Sequence, residues 1–177
     1  MARVKVTCHE RDRLRDRLRL QKGEVHPLAA TVLFIDQGIK LLRIVSKDMV
    51  REAKEQQSGP LLTKTLTLWR GMQNVHFNPR FQQEGGTEMA PMSTTSQLRI
   101  AIDYGACAEG SVLFKIRVPD IMAIGADLKW LSAFPNDAEV LYPPLTLLRP
   151  TGRTKMYEFH GRSFQVMEVQ PDLSSNA

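Results

Sequence analysis

Cysteine is nearly absent from this 177-residue chain: Cys8 and Cys107 are the only two, far apart and in no CxxC pattern. That argues against a disulfide framework and for a reducing compartment. Histidine is scarce as well. Its four copies, at 9, 26, 76 and 160, show none of the close spacings that a zinc site requires. No apolar run approaches the roughly 20 residues of a membrane-spanning helix. The N-terminus is basic but lacks the apolar stretch of a secretory signal, so cytoplasmic residence is the expectation. Internal repeats and low-complexity stretches are missing too.

What is present describes a globular protein: 42% hydrophobic and 24% charged residues are ordinary proportions, and the length suits one domain with a sizeable core. The net charge of +5 is unevenly placed. Residues 1–22 hold eight Lys or Arg and three Asp or Glu, whereas the remainder holds sixteen of each sign. The run Arg11-Asp12-Arg13-Leu14-Arg15-Asp16-Arg17-Leu18-Arg19 reads as a solvated helix with opposite charges at i,i+3. A weak contact between residues 1–22 and nucleic acid or an anionic membrane is the functional alternative. The tail has no aromatic residue to stack on bases.

After Pro27, apolar residues at 28, 32, 35, 39, 42, 45 and 49 step by three and four, which predicts an amphipathic helix packed on the core and interrupted at Gly38. Ser58-Gly59-Pro60 ends it. The pattern then changes to strands. Leu66, Leu68 and Arg70 alternate with Thr65, Thr67 and Trp69, and 112–118 alternates with Val112, Phe114, Ile116 and Val118 on one face. Asn78-Pro79 and Gly85-Gly86 bound a short helix or turn. Residues 138–148, 155–160 and 163–169 read as further strands, the last two joined by a hairpin turn at Gly161-Arg162. The organisation is therefore a basic tail over 1–22 and a single domain over 23–177, helical at about 27–57 and strand-rich from about 60 to 170.

Three short stretches in this frame carry chemistry. Trp69-Arg70-Gly71 closes a strand with a planar, permanently charged fork suited to a diphosphate, and Gly71 would let a ligand approach the backbone. A surface arginine paired with a carboxylate is the plainer reading of the same residue. Ser93-Thr94-Thr95 offers hydroxyls that can orient a carboxylate or a sugar hydroxyl, although such a run after Pro91 is also ordinary turn chemistry. Asp137-Ala138-Glu139 precedes Val140-Leu141-Tyr142-Pro143-Pro144. In an extended chain its two carboxylates project to the same side, where they could stabilise a sugar oxocarbenium ion.

Taken together in this order, these residues resemble the arginine–serine–glutamate class of mono-ADP-ribosyltransferases, which includes bacterial toxins and arginine-specific enzymes. The resemblance covers roughly residues 60–150. Tyr104 lies eleven residues past Ser93, where the family often has an aromatic that stacks on nicotinamide. Phe134 lies three residues before Asp137, where an aromatic often recognises the protein acceptor. The resemblance implies that NAD is consumed as a substrate, without a metal. Arg70, Gly71, Ser93, Thr94, Thr95, Tyr104 and Glu139 would bind it, with Arg70 on its phosphates or ribose and the Gly71 backbone on the carboxamide. Ser93 would hold Glu139, Glu139 would stabilise the ribosyl cation, and Asp137 would serve the incoming nucleophile. The dinucleotide pattern GxGxxG is not required by this chemistry and does not occur.

The resemblance also implies an α+β domain: two packed, mostly antiparallel sheets around a NAD cleft, with helices on the N-terminal side. One departure bears on specificity. Asp137 stands where arginine-modifying members usually carry glutamate, one methylene longer. An arginine acceptor on a protein of unknown identity is the first expectation. A NAD glycohydrolase, and an inactive binding module of the same fold, are the alternatives.

Overall fold

In a computed structural model, residues 29–55, 66–73, 79–106 and 111–173 are described. The basic tail of residues 1–22 lies outside them. The helical periodicity becomes α1 (Ala29–Glu55), which runs through Gly38 without a break. Its expected apolar stripe is only partly covered. Ile39 is 3% exposed, but Val32, Ile35 and Val45 are 51%, 45% and 48% exposed. Burial follows where α1 meets its neighbours, and it does so through polar anchors in its middle. Arg43 donates from Nε to the Ile124 carbonyl at 2.9 Å and from Nη2 to the Met122 carbonyl at 3.0 Å. Buried Ser46 accepts from the Asp127 amide at 2.8 Å.

The remaining elements are β1 (Leu66–Gln73), α2 (Pro79–Glu84), β2 (Gly86–Glu88), β3 (Met92–Thr95), α3 (Leu98–Gly105), β4 (Ser111–Val118), β5 (Ala126–Asp127), β6 (Glu139–Tyr142), β7 (Thr146–Phe159) and β8 (Arg162–Asp172). The fold is α+β and mostly antiparallel, as expected, β4 and β8 being the parallel exception. The division into two sheets is modified. The strands hydrogen-bond as one eight-stranded sheet in the order β2-β7-β8-β4-β1-β3-β6-β5. A single register pair, Trp69 with Thr95, joins its two halves. That narrow bridge lets the three-stranded part (β3, β6, β5) fold over the five-stranded part. Leu68, Phe114, Ile116, Met167 and Val169 from one half then share a core with Met92, Val140 and Tyr142 from the other. Tyr142 is fully buried and donates its hydroxyl to the Ala123 carbonyl at 3.1 Å. Burial raises its phenolic pKa well above the usual value, so the ring stays neutral in the core.

The opposite face of β1 and β4 is covered by α3, with Ala101, Leu113, Phe164 and Val166 buried there. Gly71 makes that contact feasible. A Cβ on it would lie 1.9 Å from the Ala101 carbonyl oxygen and 2.6 Å from the Gly105 nitrogen. Gln73, two residues on, donates to the carbonyls of Tyr104 (2.8 Å) and Ala106 (3.3 Å), satisfying the end of α3.

Two further expectations are corrected. The segment 138–148 is two strands, β6 and β7, because Pro143-Pro144-Leu145 interrupts it with Leu145 at φ 65°. The hairpin turn falls at His160-Gly161, one residue earlier than expected. Both have positive φ, 49° and 71°, which the tight turn between β7 and β8 requires.

Candidate active site

The bridge between the half-sheets is where the singled-out residues meet. A cavity of about 290 Å³ opens there, lined by Trp69, Arg70, Gly71, Ser93, Thr94, Thr95, Ile100, Ala101, Tyr104, Phe134, Asp137 and Glu139. Every site residue expected from the sequence is among them.

Each side chain has an identifiable support. β3 pairs with β6, with Ser93 opposite Leu141 and Thr95 opposite Glu139. Ser93 Oγ donates to Glu139 Oε1 at 2.6 Å, the length of a charge-assisted O–H···O⁻ bond. Ser93 and Glu139 are 46 residues apart, and the β3–β6 pairing is what makes them neighbours. Thr94 is buried and donates to the Val140 carbonyl at 2.6 Å. Thr95 donates to the Asp137 carbonyl at 2.5 Å. The three hydroxyls therefore hold the strand that carries Glu139, and only Ser93 touches the carboxylate itself.

Arg70 shares a face of β1 with Leu68 and lies toward the half-sheet cleft. Its Nη1 donates to the Ser93 carbonyl at 2.9 Å, and its Nη2 is 3.7 Å from Glu88 Oε2. Its Nε is buried and has no hydrogen-bond partner among the described residues. The guanidinium thus has more donors than protein partners. Glu88, which faces Arg70, and Gln97, whose Nε2 donates to the Asn136 carbonyl at 2.6 Å, make contacts that sequence reasoning missed. β2 reaches Arg70 only through the folding of the sheet, and no local pattern marks that contact.

Gly71 lines the cavity and also packs against α3, whose backbone its missing side chain accommodates. Asp137 and Glu139 do not follow the extended geometry expected of them. Pro135–Asp137 forms a 3₁₀ turn, and Ala138 takes a left-handed conformation with φ 46° and ψ 51°. Both carboxylates nevertheless line the cavity. The Tyr104 hydroxyl lies 3.4 Å from Asp137 Oδ2, a long and weak contact. Tyr104 and Phe134 are 64% and 69% exposed, so their rings are available to a ligand or partner.

Among the described residues, no group of three His, Cys, Asp or Glu could hold a metal ion, and no helix is long and apolar enough to cross a membrane. The chemistry on offer is that of a cation, a hydroxyl-supported carboxylate and a second carboxylate around one small cavity.

No protein-family model matches the chain, and no curated protein matches it by sequence. Solved structures do match. HopU1, an ADP-ribosyltransferase of Pseudomonas syringae pv. tomato, aligns at TM-score 0.51 and 19% identity, over 92% of this chain and 66% of its own. Plx2a, an ADP-ribosyltransferase toxin from Paenibacillus larvae, aligns at 0.48 and 15% identity, over 77% and 85%. Vis toxin, an ADP-ribosyltransferase from Vibrio splendidus, aligns at 0.40 and 15% identity, over 65% and 52%. The chain thus spans about half the length of the Vis structure and two-thirds of HopU1. The likeness to HopU1 establishes that the chain has the fold of that ADP-ribosyltransferase.

Proposed function

We propose that this protein is a NAD-dependent mono-ADP-ribosyltransferase: it breaks the nicotinamide–ribose bond of NAD and transfers ADP-ribose to a protein side chain, an arginine guanidinium being the first candidate. The observation that carries the reading is the Ser93–Glu139 bond of 2.6 Å inside a cavity that also holds Arg70 and Asp137. The family resemblance of these residues and the shared fold of HopU1 support it.

The residues fit the substrate. A cavity of about 290 Å³ is at the small end of the roughly 300–1,000 Å³ typical of ligand sites. It suits the nicotinamide–ribose end of a dinucleotide, with the remainder along the cleft mouth. Arg70, with unused guanidinium donors, binds the phosphates or the ribose, and Tyr104 covers the nicotinamide ring. Ser93 keeps the Glu139 carboxylate oriented toward the ribose 2′-hydroxyl. As the C1′–N bond breaks, nicotinamide leaves with the bonding pair and positive charge develops on the ribose. Glu139, fixed beforehand, stabilises that charge without reorganising. The acceptor nitrogen then forms the new bond to C1′ and gives its proton to Asp137. Exposed Phe134, on the same turn as Asp137, contacts the acceptor.

Asp137 favours a second reading beside this one. A carboxylate one methylene shorter than glutamate holds an acceptor less closely, and water in its place makes the protein a NAD glycohydrolase. Mass spectrometry after incubation with NAD and agmatine tests the main reading. Agmatine gaining one ADP-ribose, with the gain lost in Glu139→Gln, is the expected result. Free ADP-ribose alone would move the assignment to the glycohydrolase, and intact NAD would overturn both.

A further inference from the structure

We infer that Gln97 is a positioning residue for the Asp137–Glu139 carboxylate pair. Together with Thr95 it clamps the turn before β6 and holds Ala138 in the left-handed conformation that separates the two carboxylates. The catalytic consequence rests on the reaction proposed above. The clamp itself rests on geometry.

The register of β3 with β6 ends at Thr95 opposite Glu139. Beyond it, three successive carbonyls of the turn accept hydrogen bonds from three successive residues. Asn136 O accepts from Gln97 Nε2 at 2.6 Å, Asp137 O from Thr95 Oγ1 at 2.5 Å, and Ala138 O from the Ser96 amide at 3.4 Å. The Gln97 amide donates to Thr95 Oγ1 at 3.0 Å, which leaves the Thr95 hydrogen free to point at Asp137 O. Gln97 directly precedes α3, yet its side chain makes no helix cap and goes to Asn136 instead.

The strained element is Ala138, a non-glycine residue at φ 46° and ψ 51°. Left-handed backbone costs such a residue about 1–2 kcal/mol and persists only where its surroundings impose it. Here those surroundings are the carbonyl grips on either side. Ala138 is the one residue between Asp137 and Glu139, so its conformation sets the distance and direction of one carboxylate from the other. Releasing the Gln97 grip lets the turn relax toward ordinary backbone and carries Asp137 away from the acceptor. Glu139 stays anchored by Ser93 and by the β3–β6 ladder.

Two readouts test this, one independent of activity. Hydrogen exchange in Gln97→Ala should rise about fivefold over 134–139, the fold-change for losing one net hydrogen bond, while β4 and β8 stay unchanged. In the enzymatic assay, the ratio of agmatine transfer to NAD hydrolysis should fall several-fold, with KM for NAD within about twofold of wild type. Ala138→Gly supplies the rescue, because glycine adopts φ > 0 freely. It should be nearly silent alone and restore most of the ratio in the Gln97→Ala background, a coupling that independent structural effects would not show. Unchanged exchange over 134–139 overturns the clamp. Raised exchange with an unmoved ratio, or no rescue by Ala138→Gly, overturns the positioning role. If the wild type cleaves no NAD, the proposed reaction fails, and the exchange result alone decides the clamp.

Discussion

Gly71→Ala is the substitution whose effect the geometry defines most sharply. A methyl group there would lie 1.9 Å from the Ala101 carbonyl oxygen and 2.6 and 2.9 Å from the nitrogen and Cα of Gly105. These are backbone atoms of α3, and no rotamer change can relieve the clash. Ordinary van der Waals contact begins near 3.4 Å, so α3 must move outward by about 1.5 Å or the strand must bend. Overpacking of this kind costs about 1–3 kcal/mol and occasionally more. For a protein of this size each kcal/mol lowers Tm by about 2–4 °C, so thermal unfolding should shift down by about 2–12 °C. The shift of α3 also displaces Ile100 and Tyr104, which line the cavity. KM for NAD should therefore rise in the fraction that remains folded. A Gly71→Ala protein with wild-type Tm would refute the packing of α3 on β1. One with lowered Tm but unaltered KM would show that α3 does not shape the substrate site.

Three other perturbations follow from the same contacts. Glu139→Gln keeps the shape and the acceptor oxygen for Ser93 but removes the charge. Turnover should drop about 10²- to 10³-fold, the range seen when one preorganised electrostatic contact is lost, while NAD affinity by calorimetry changes little; retained turnover would remove Glu139 from the chemistry. Asp137→Ala should abolish transfer to agmatine and leave measurable NAD hydrolysis, so equal loss of both would show that Asp137 is not specific to the acceptor step. Glu168 concerns stability. Burial pushes its pKa up, but hydrogen bonds from Lys115 (3.2 Å) and Thr151 (3.1 Å), with the charges of Lys115 and Arg153, outweigh it and leave the value below the usual one. A depressed folded-state pKa stabilises above the unfolded value of about 4.3 and loses that contribution as pH falls through the folded value. The Tm advantage of wild type over Glu168→Gln should be full at pH 6–7 and shrink below about pH 4. A pH-independent difference would mean that the ion cluster contributes packing alone.

Periodic elements were legible in the sequence because their signal is local. The three-and-four spacing after Pro27 marks α1, and the alternation of Val112, Phe114, Ile116 and Val118 marks β4, where all four side chains are buried. The same is true of the β7–β8 hairpin, misplaced by one residue because His160, like Gly161, takes positive φ. Which residues surround the cavity was legible through the order of the Trp-Arg-Gly, Ser-Thr-Thr and Asp-Ala-Glu motifs. How they are held was not. α3 carries no such local signal, since it depends on packing against Gly71 of β1 rather than on a side-chain N-cap. The exposed length of α1 defeats a stripe argument, because periodicity predicts which face can be buried and not whether a neighbour covers it. The turn at Ala138 reversed the extended reading of Asp137-Ala138-Glu139, because hydrogen bonds from residues about 40 positions earlier decide its conformation.

The proposed reaction is cleavage of NAD in this cavity with ADP-ribose passed onward. Nicotinamide released from NAD by the purified protein, measured with and without agmatine or a pool of cell proteins, tests it most directly. Release that rises with acceptor and labels it is the expected result. No release under any condition, with no NAD binding by calorimetry, would contradict it and leave the fold without the proposed chemistry.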